Sequence, residues 1–106
     1  MKIKKVKGSH GLLAFWCQAC NRVHQFCVDK RDWPNMVWKW NGEKEKPTFS
    51  PSILVIGKEG HNIKRCHSFI TNGRIVYLSD STHDLAGKMV DMVDIPEDYL
   101  GLEEWK

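Results

Sequence analysis

The sequence predicts a small, mostly β domain of antiparallel strands stapled by a zinc ion, and three observations carry that prediction. Apolar residues fall in short runs bounded by turn residues, without a sustained helical period. Asn72-Gly73 divides two such runs, the preferred pair for a two-residue hairpin turn. Cys17-Gln18-Ala19-Cys20 sits between two more, as a knuckle that can aim two thiolates at one point.

Taken in order, Met1–Lys7 is basic and leads into no apolar stretch, so it reads as neither a secretory leader nor an anchor. Gly11–Trp16 is an apolar run ending on Cys17. In Val23–Val28, alternation places His24, Phe26 and Val28 on one face and Val23, Gln25 and Cys27 on the other. Met36–Trp40 alternates again, with Trp38 and Trp40 sharing a face, and closes at Asn41-Gly42. Lys44–Pro51, polar and holding two prolines, reads as an extended surface loop. Ser52–Ile56 reads as a buried strand, followed by a mobile loop over Gly57–Gly60. The Asn72-Gly73 turn sets a register in which Thr71 faces Arg74, Phe69 faces Val76 and His67 faces Leu78. Cys66 and His67 then point to opposite sides. Asp80–Asp84 reads as a turn, and Leu85–Met92 as at most a short helix interrupted by Gly87. Residues 93–106 form an acidic tail, anchored loosely by Tyr99, Leu102 and Trp105. The whole, 1–106, is one domain.

An apolar fraction of 42% supports a real core, and no run of about 18 apolar residues is present to span a membrane. The net charge of +3 hides an asymmetry: 13 Lys/Arg against 5 Asp/Glu up to residue 65, then 3 against 8. Either the fold brings the two parts together and neutralises them, or a basic face is kept for a phosphate backbone or acidic partner.

Four cysteines without a secretory leader belong in a reducing compartment, where zinc is favoured over disulfides. A redox pair would want a helix after Cys20, and none is expected there; plain buried thiols are the other alternative. Zinc needs four ligands in a closed structural site. Cys66 starts the strong hairpin, and a turn beginning at Ser79 can carry His83 back toward it. The expected set is therefore Cys17, Cys20, Cys66 and His83. His24 is its rival and could complete the knuckle locally, and His67 is a further reserve. Cys27 reads as a small buried apolar residue. Trp33, Trp38 and Trp40, beside Lys39, suit either a core wall or a stacking platform for single-stranded nucleic acid.

Trp16-Cys-x-x-Cys-x-x-x-His24, Trp38-Lys-Trp-Asn-Gly, Lys46-Pro-Thr-Phe-Ser-Pro-Ser-Ile-Leu-Val55, Cys66-His-Ser-Phe-Ile and Ser79-Asp-Ser-Thr-His83 recur in one order. This string resembles a family of small phage and prophage zinc-binding-like proteins, many labelled ammonia monooxygenase, over about residues 11–92. Relatives commonly carry Cys where this chain has Ser81, so the resemblance favours a site that works without that thiol. It implies a phage-borne protein acting in the bacterial cytoplasm and no particular reaction.

Three functions compete. The favoured one is a zinc-stabilised binding module that docks on a host protein and inhibits a defence system, such as a CRISPR effector nuclease. The second is a zinc-dependent hydrolase using His24 or His67, with Asp80 and Asp84 as the only carboxylates near enough to assist. The third is a nucleic-acid-binding domain using the basic strands and tryptophans.

Overall fold

The computed structural model describes residues 1–104, so the tail anchor expected at Trp105 lies outside them. Nine strands form two antiparallel sheets, and no helix occurs among the described residues. The first sheet has the order β3 (Arg22–Cys27), β2 (Leu12–Cys17), β1 (Ile3–Val6), β9 (Leu102–Glu103). The second runs β4 (Lys39–Trp40), β5 (Phe49–Glu59), β6 (Asn62–Thr71), β7 (Arg74–Tyr77), β8 (Met89–Asp91).

The sheets close on one another through alternating inward side chains. Ile3, Leu13, Phe15, Cys17 and Phe26 from the first meet Phe49, Ile53, Cys66, Ile70, Ile75 and Tyr77 from the second in one core. Phe26 and Phe49 bridge the sheets with ring centroids 4.1 Å apart. Trp38 is buried in this wall edge-on to Phe26, and Trp40 stacks on Phe49.

The Asn72-Gly73 hairpin forms in the expected register, Thr71 opposite Arg74 and Phe69 opposite Val76. Gly73 adopts φ +78°, and a Cβ there would meet the Lys46 Cα at 3.1 Å, so both turn and neighbour demand glycine. Five expectations change. The strand expected to be buried over Ser52–Ile56 is buried on one face only, with Leu54 and Ile56 exposed, and the loop expected over Lys44–Pro51 is strand from Phe49 onward. At the basic start, which forms strand β1, Lys2 and Lys5 pair with Asp94 and Glu103 of the acidic tail at 3.5 and 2.7 Å. The two halves of the charge asymmetry thus neutralise one another in part. The loop expected over Gly57–Gly60 is strand as far as Glu59, since Gly57 and Lys58 pair with Lys64 and Ile63. The run to Met92 contains β8 in place of a short helix: Val90 pairs with Ile75 and turns cover the stretch before it. Of Met36–Trp40, only Lys39 and Trp40 are in a strand.

The long strands β5 and β6 position everything that follows. A bulge between Phe49 and Ile53 lifts Ser50, Pro51 and Ser52 out of the ladder to β6. Ladder pairing resumes with Ile53 opposite Ser68 and Leu54 opposite His67. No helix of the described residues is long and apolar enough to cross a membrane.

Candidate metal centre and catalytic triad

The knuckle is built by β2, β3 and the turn joining them. Asn21 takes the left-handed conformation, φ 54°, which asparagine tolerates better than most residues, and the chain reverses between Cys17 and Arg22. Pairing then places His24 opposite Phe15 on the core face, 4% exposed. Cys66 arrives from β6 of the other sheet, also on its inner face. The ligand atoms of Cys17, Cys20, His24 and Cys66 all lie within 4.8 Å of one another, and this group could hold a metal ion.

The chemistry of the cluster fits such an ion. Tetrahedral zinc with Zn–S bonds of about 2.3 Å sets sulfurs about 3.8 Å apart. The Cys17 and Cys66 sulfurs are 3.8 Å apart. His24 Nε2 is buried without a hydrogen-bond partner, as a ligand nitrogen would be. A hydrogen bond from Cys66 pulls Cys17 down to about 3 against its burial, with His24 and Tyr77 assisting. That same bond and burial push Cys66 up, and burial with the charge on Cys17 raises Cys20. Three thiols compete here for negative charge, and a dication would relieve the competition. Around them, the Tyr77 hydroxyl lies 3.2 Å from the Cys17 sulfur and accepts from the Ala19 N–H at 3.4 Å, orienting the ligand from outside.

His83, expected as fourth ligand, is not in this group, which contains His24; the His83 Nε2, like that of His24, is buried without a hydrogen-bond partner. After β7 the chain runs back beside β6: the Leu78 N–H donates to the His67 carbonyl, and the Thr82 N–H to the Arg65 carbonyl. His83 is thereby delivered past Cys66, edge-on to Tyr77 at 4.7 Å, with Nδ1 accepting from the Leu85 N–H. Cys27 is buried, its thiol donating to the Asp29 carbonyl at 2.8 Å, away from the cluster.

His67, the other reserve ligand, stands on the opposite side of β6 from Cys66. There its Nε2 lies 2.9 Å from Ser52 Oγ, and its Nδ1 lies 3.1 and 3.2 Å from the two Asp80 carboxylate oxygens. An ionised carboxylate can only accept, so in the neutral imidazole Nδ1 carries the proton and Nε2 is left to accept from the Ser52 hydroxyl. Ser, His and Asp in this order of contact have the geometry of a nucleophile, its base and the group that orients the base.

Each partner is held from behind. The Ser81 hydroxyl accepts from the His67 N–H at 3.0 Å and donates to its carbonyl at 3.2 Å. That bracket keeps Asp80, its neighbour in the chain, beside the imidazole. Trp38 Nε1–H donates to the Ser52 carbonyl at 3.3 Å, anchoring the bulge from the core. Of the aromatics weighed for nucleic acid, Trp38 is thus committed to the core, and Trp33 packs edge-on against it. Lys39 is exposed on short β4.

Sequence reasoning missed Ser52 as a functional residue and named Asp80 only in passing. The usable signal was the hairpin register, which puts His67 opposite Leu78 and therefore close to Asp80 if the chain stays alongside β6.

A family model described as "Bacterial ubiquitination-like system serine protease (BubE)" matches residues 1–78. That span contains Ser52, His67 and all four clustered ligands, and it ends just before Asp80. No curated protein and no solved structure matches the chain. The family description names a bacterial system and a serine protease, and says nothing of phage carriage, CRISPR inhibition or a monooxygenase. With the greater part of its length matched, this chain belongs to the BubE family.

Proposed function

We propose that the chain is a serine protease whose nucleophile is Ser52, with His67 as general base, Asp80 as its orienting carboxylate, and a structural zinc ion held by Cys17, Cys20, His24 and Cys66. The observation that carries it is the continuous contact Ser52 Oγ–His67 Nε2, His67 Nδ1–Asp80. The family description supports hydrolysis of a peptide bond in a bacterial ubiquitination-like system.

The chemistry follows from the geometry. His67 Nε2 takes the hydroxyl proton as Ser52 Oγ attacks the scissile carbonyl carbon, and Asp80 steadies the imidazolium that forms. The C–N bond then breaks, His67 returns the proton to the leaving amine, and an ester to Ser52 remains. Water, deprotonated by the same nitrogen, cleaves that ester and restores the hydroxyl. Zinc would supply only a crosslink between the sheets, since four protein ligands fill a tetrahedral site.

This reading displaces the binding module. His67, oriented by Asp80, offers the Ser52 hydroxyl a positioned base. Hydrolysis by zinc-bound water loses its open position once His24 is counted among the ligands.

A biotinylated fluorophosphonate, which phosphonylates activated serine hydroxyls with loss of fluoride, tests the reading. We expect stoichiometric labelling mapped to Ser52 by mass spectrometry, and none in Ser52→Ala or His67→Ala. Labelling absent from folded protein, or mapped to another serine, refutes it.

A further inference from the structure

We propose that the substrate is an extended, unstructured peptide segment that joins the open edge of β5 as an added strand, with apolar side chains at alternate positions. This inference rests on the protease reading and names how its site is filled. Strand β4 pairs only with Phe49 and Ser50 of β5. From Ile53 to Glu59, β5 has β6 on one side and, among the described residues, no strand on the other. The lane that β4 leaves vacant begins just past Ser52, whose own carbonyl is held by Trp38 Nε1–H.

The direction of the main-chain groups follows from the neighbours. The His67 N–H donates to Ser81 and the His67 carbonyl accepts from Leu78, so both point away from β5. Arg65 likewise turns its N–H and carbonyl to Thr82. In an antiparallel pair, residues directly opposite either exchange both hydrogen bonds or turn both outward. Leu54 lies opposite His67 and Ile56 opposite Arg65, so both present their N–H and carbonyl to the vacant lane.

Their side chains are also exposed, Leu54 by 50% and Ile56 by 58%, on the face of the sheet that carries His67. Proteins usually blunt such an edge with proline, charge or a covering element. Here two apolar residues with outward main-chain groups directly follow the catalytic serine. Main-chain pairing selects an extended segment over a helix, and Leu54 and Ile56 select apolar side chains on that face.

The test uses the full chain and a proteome-derived peptide library, from which the best-cleaved peptide is taken. Ile56→Pro removes an outward N–H while sparing the ladder to β6. Measured against fluorophosphonate labelling of Ser52, kcat/KM for that peptide is expected to fall about tenfold, the worth of one or two net hydrogen bonds. N-methylation of single backbone amides in the peptide should slow cleavage by the parent protein at alternate positions only. An unchanged ratio, or indifference to N-methylation at every position, overturns the proposal. So does labelling of Ser52 with no peptide in the library cleaved. If Ile56→Pro fails to fold, the N-methylated peptides decide alone. Absence of labelling in the parent protein instead refutes the protease reading, and this inference falls with it.

Discussion

Replacing Asp80 by Asn isolates the part of the site that sequence reasoning found hardest to see. The side chain keeps its size, but one acceptor oxygen becomes an NH₂ donor. His67 Nδ1 lies 3.1 and 3.2 Å from the two Asp80 oxygens, so an amide at the same place can offer it a donor. The imidazole then favours the tautomer with its proton on Nε2, facing Ser52, where it can no longer accept. The imidazolium formed on attack also loses its counter-charge. At an effective dielectric constant of about 20, two charges about 4 Å apart interact by about 4 kcal/mol. Asp80 is 48% exposed at its side chain, so solvent screens part of this and about 2 to 3 kcal/mol is the better figure. That corresponds to a loss of about 30- to 150-fold in kcat, with KM little changed because Asp80 acts through His67. The assay is steady-state cleavage of a fluorogenic peptide, with fluorophosphonate labelling of Ser52 in parallel. A melting temperature close to that of the parent shows that the fold is intact. An Asp80→Asn protein that cleaves within threefold of the parent rate would refute the triad assignment.

Three further outcomes follow from the same contacts. Elemental analysis should find about one zinc per chain, lost in His24→Ala but retained in His83→Ala, with Cys17→Ser and Cys66→Ser melting well below Cys27→Ser; zinc retained without His24 and lost without His83 would restore the ligand set expected from the sequence. Ser81→Ala removes both hydrogen bonds to the His67 backbone and should cost about 1 to 3 kcal/mol of stability and lower kcat, read by denaturant melts and the peptide assay; full activity would show that the bracket does not position the base. Gly73→Ala forces a Cβ at φ +78° to within 3.1 Å of the Lys46 backbone and should destabilise by more than about 1 kcal/mol, checked by the same melts.

Where local physics dominates, the fold could be read ahead of the structure. Asn72-Gly73 is sufficient to form a hairpin and set its register, and the two-residue period of β6 separates Cys66 from His67 without help from elsewhere. The knuckle was legible for the same reason. Strand β1 was not: four lysines in the chain's first seven residues read only as a basic start, and Glu45, Asp94 and Glu103, the partners of Lys2 and Lys5, lie far off in sequence. Which histidine joins the three cysteines turned on a comparison that alternation alone could not decide. The β2–β3 pairing already aimed His24 at the core, whereas bringing in His83 required a guess about a turn. Ser52 carried no local mark. It lies in a proline-flanked bulge, and a hydroxyl becomes a nucleophile only through a base that sits 15 residues away in sequence.

Strand β6 explains why metal and triad fit together in one small domain. Its alternation sends Cys66 inward to a cluster that joins the two sheets and His67 outward to Ser52. Metal at the inner face would fix the strand one residue from the base while leaving the base itself in the solvent-facing layer. The division also explains why thiols and triad do not interfere. Three sulfurs beside an activated serine would offer competing nucleophiles; on the far side of the sheet, drawn to one cation, they would be spent on structure. The remaining requirement is precision, since His67 must meet a serine on β5 and a carboxylate beyond β7. Main-chain pairing supplies the first, through Leu54 opposite His67. The Ser81 bracket supplies the second, by tying the residue next to Asp80 to the His67 backbone.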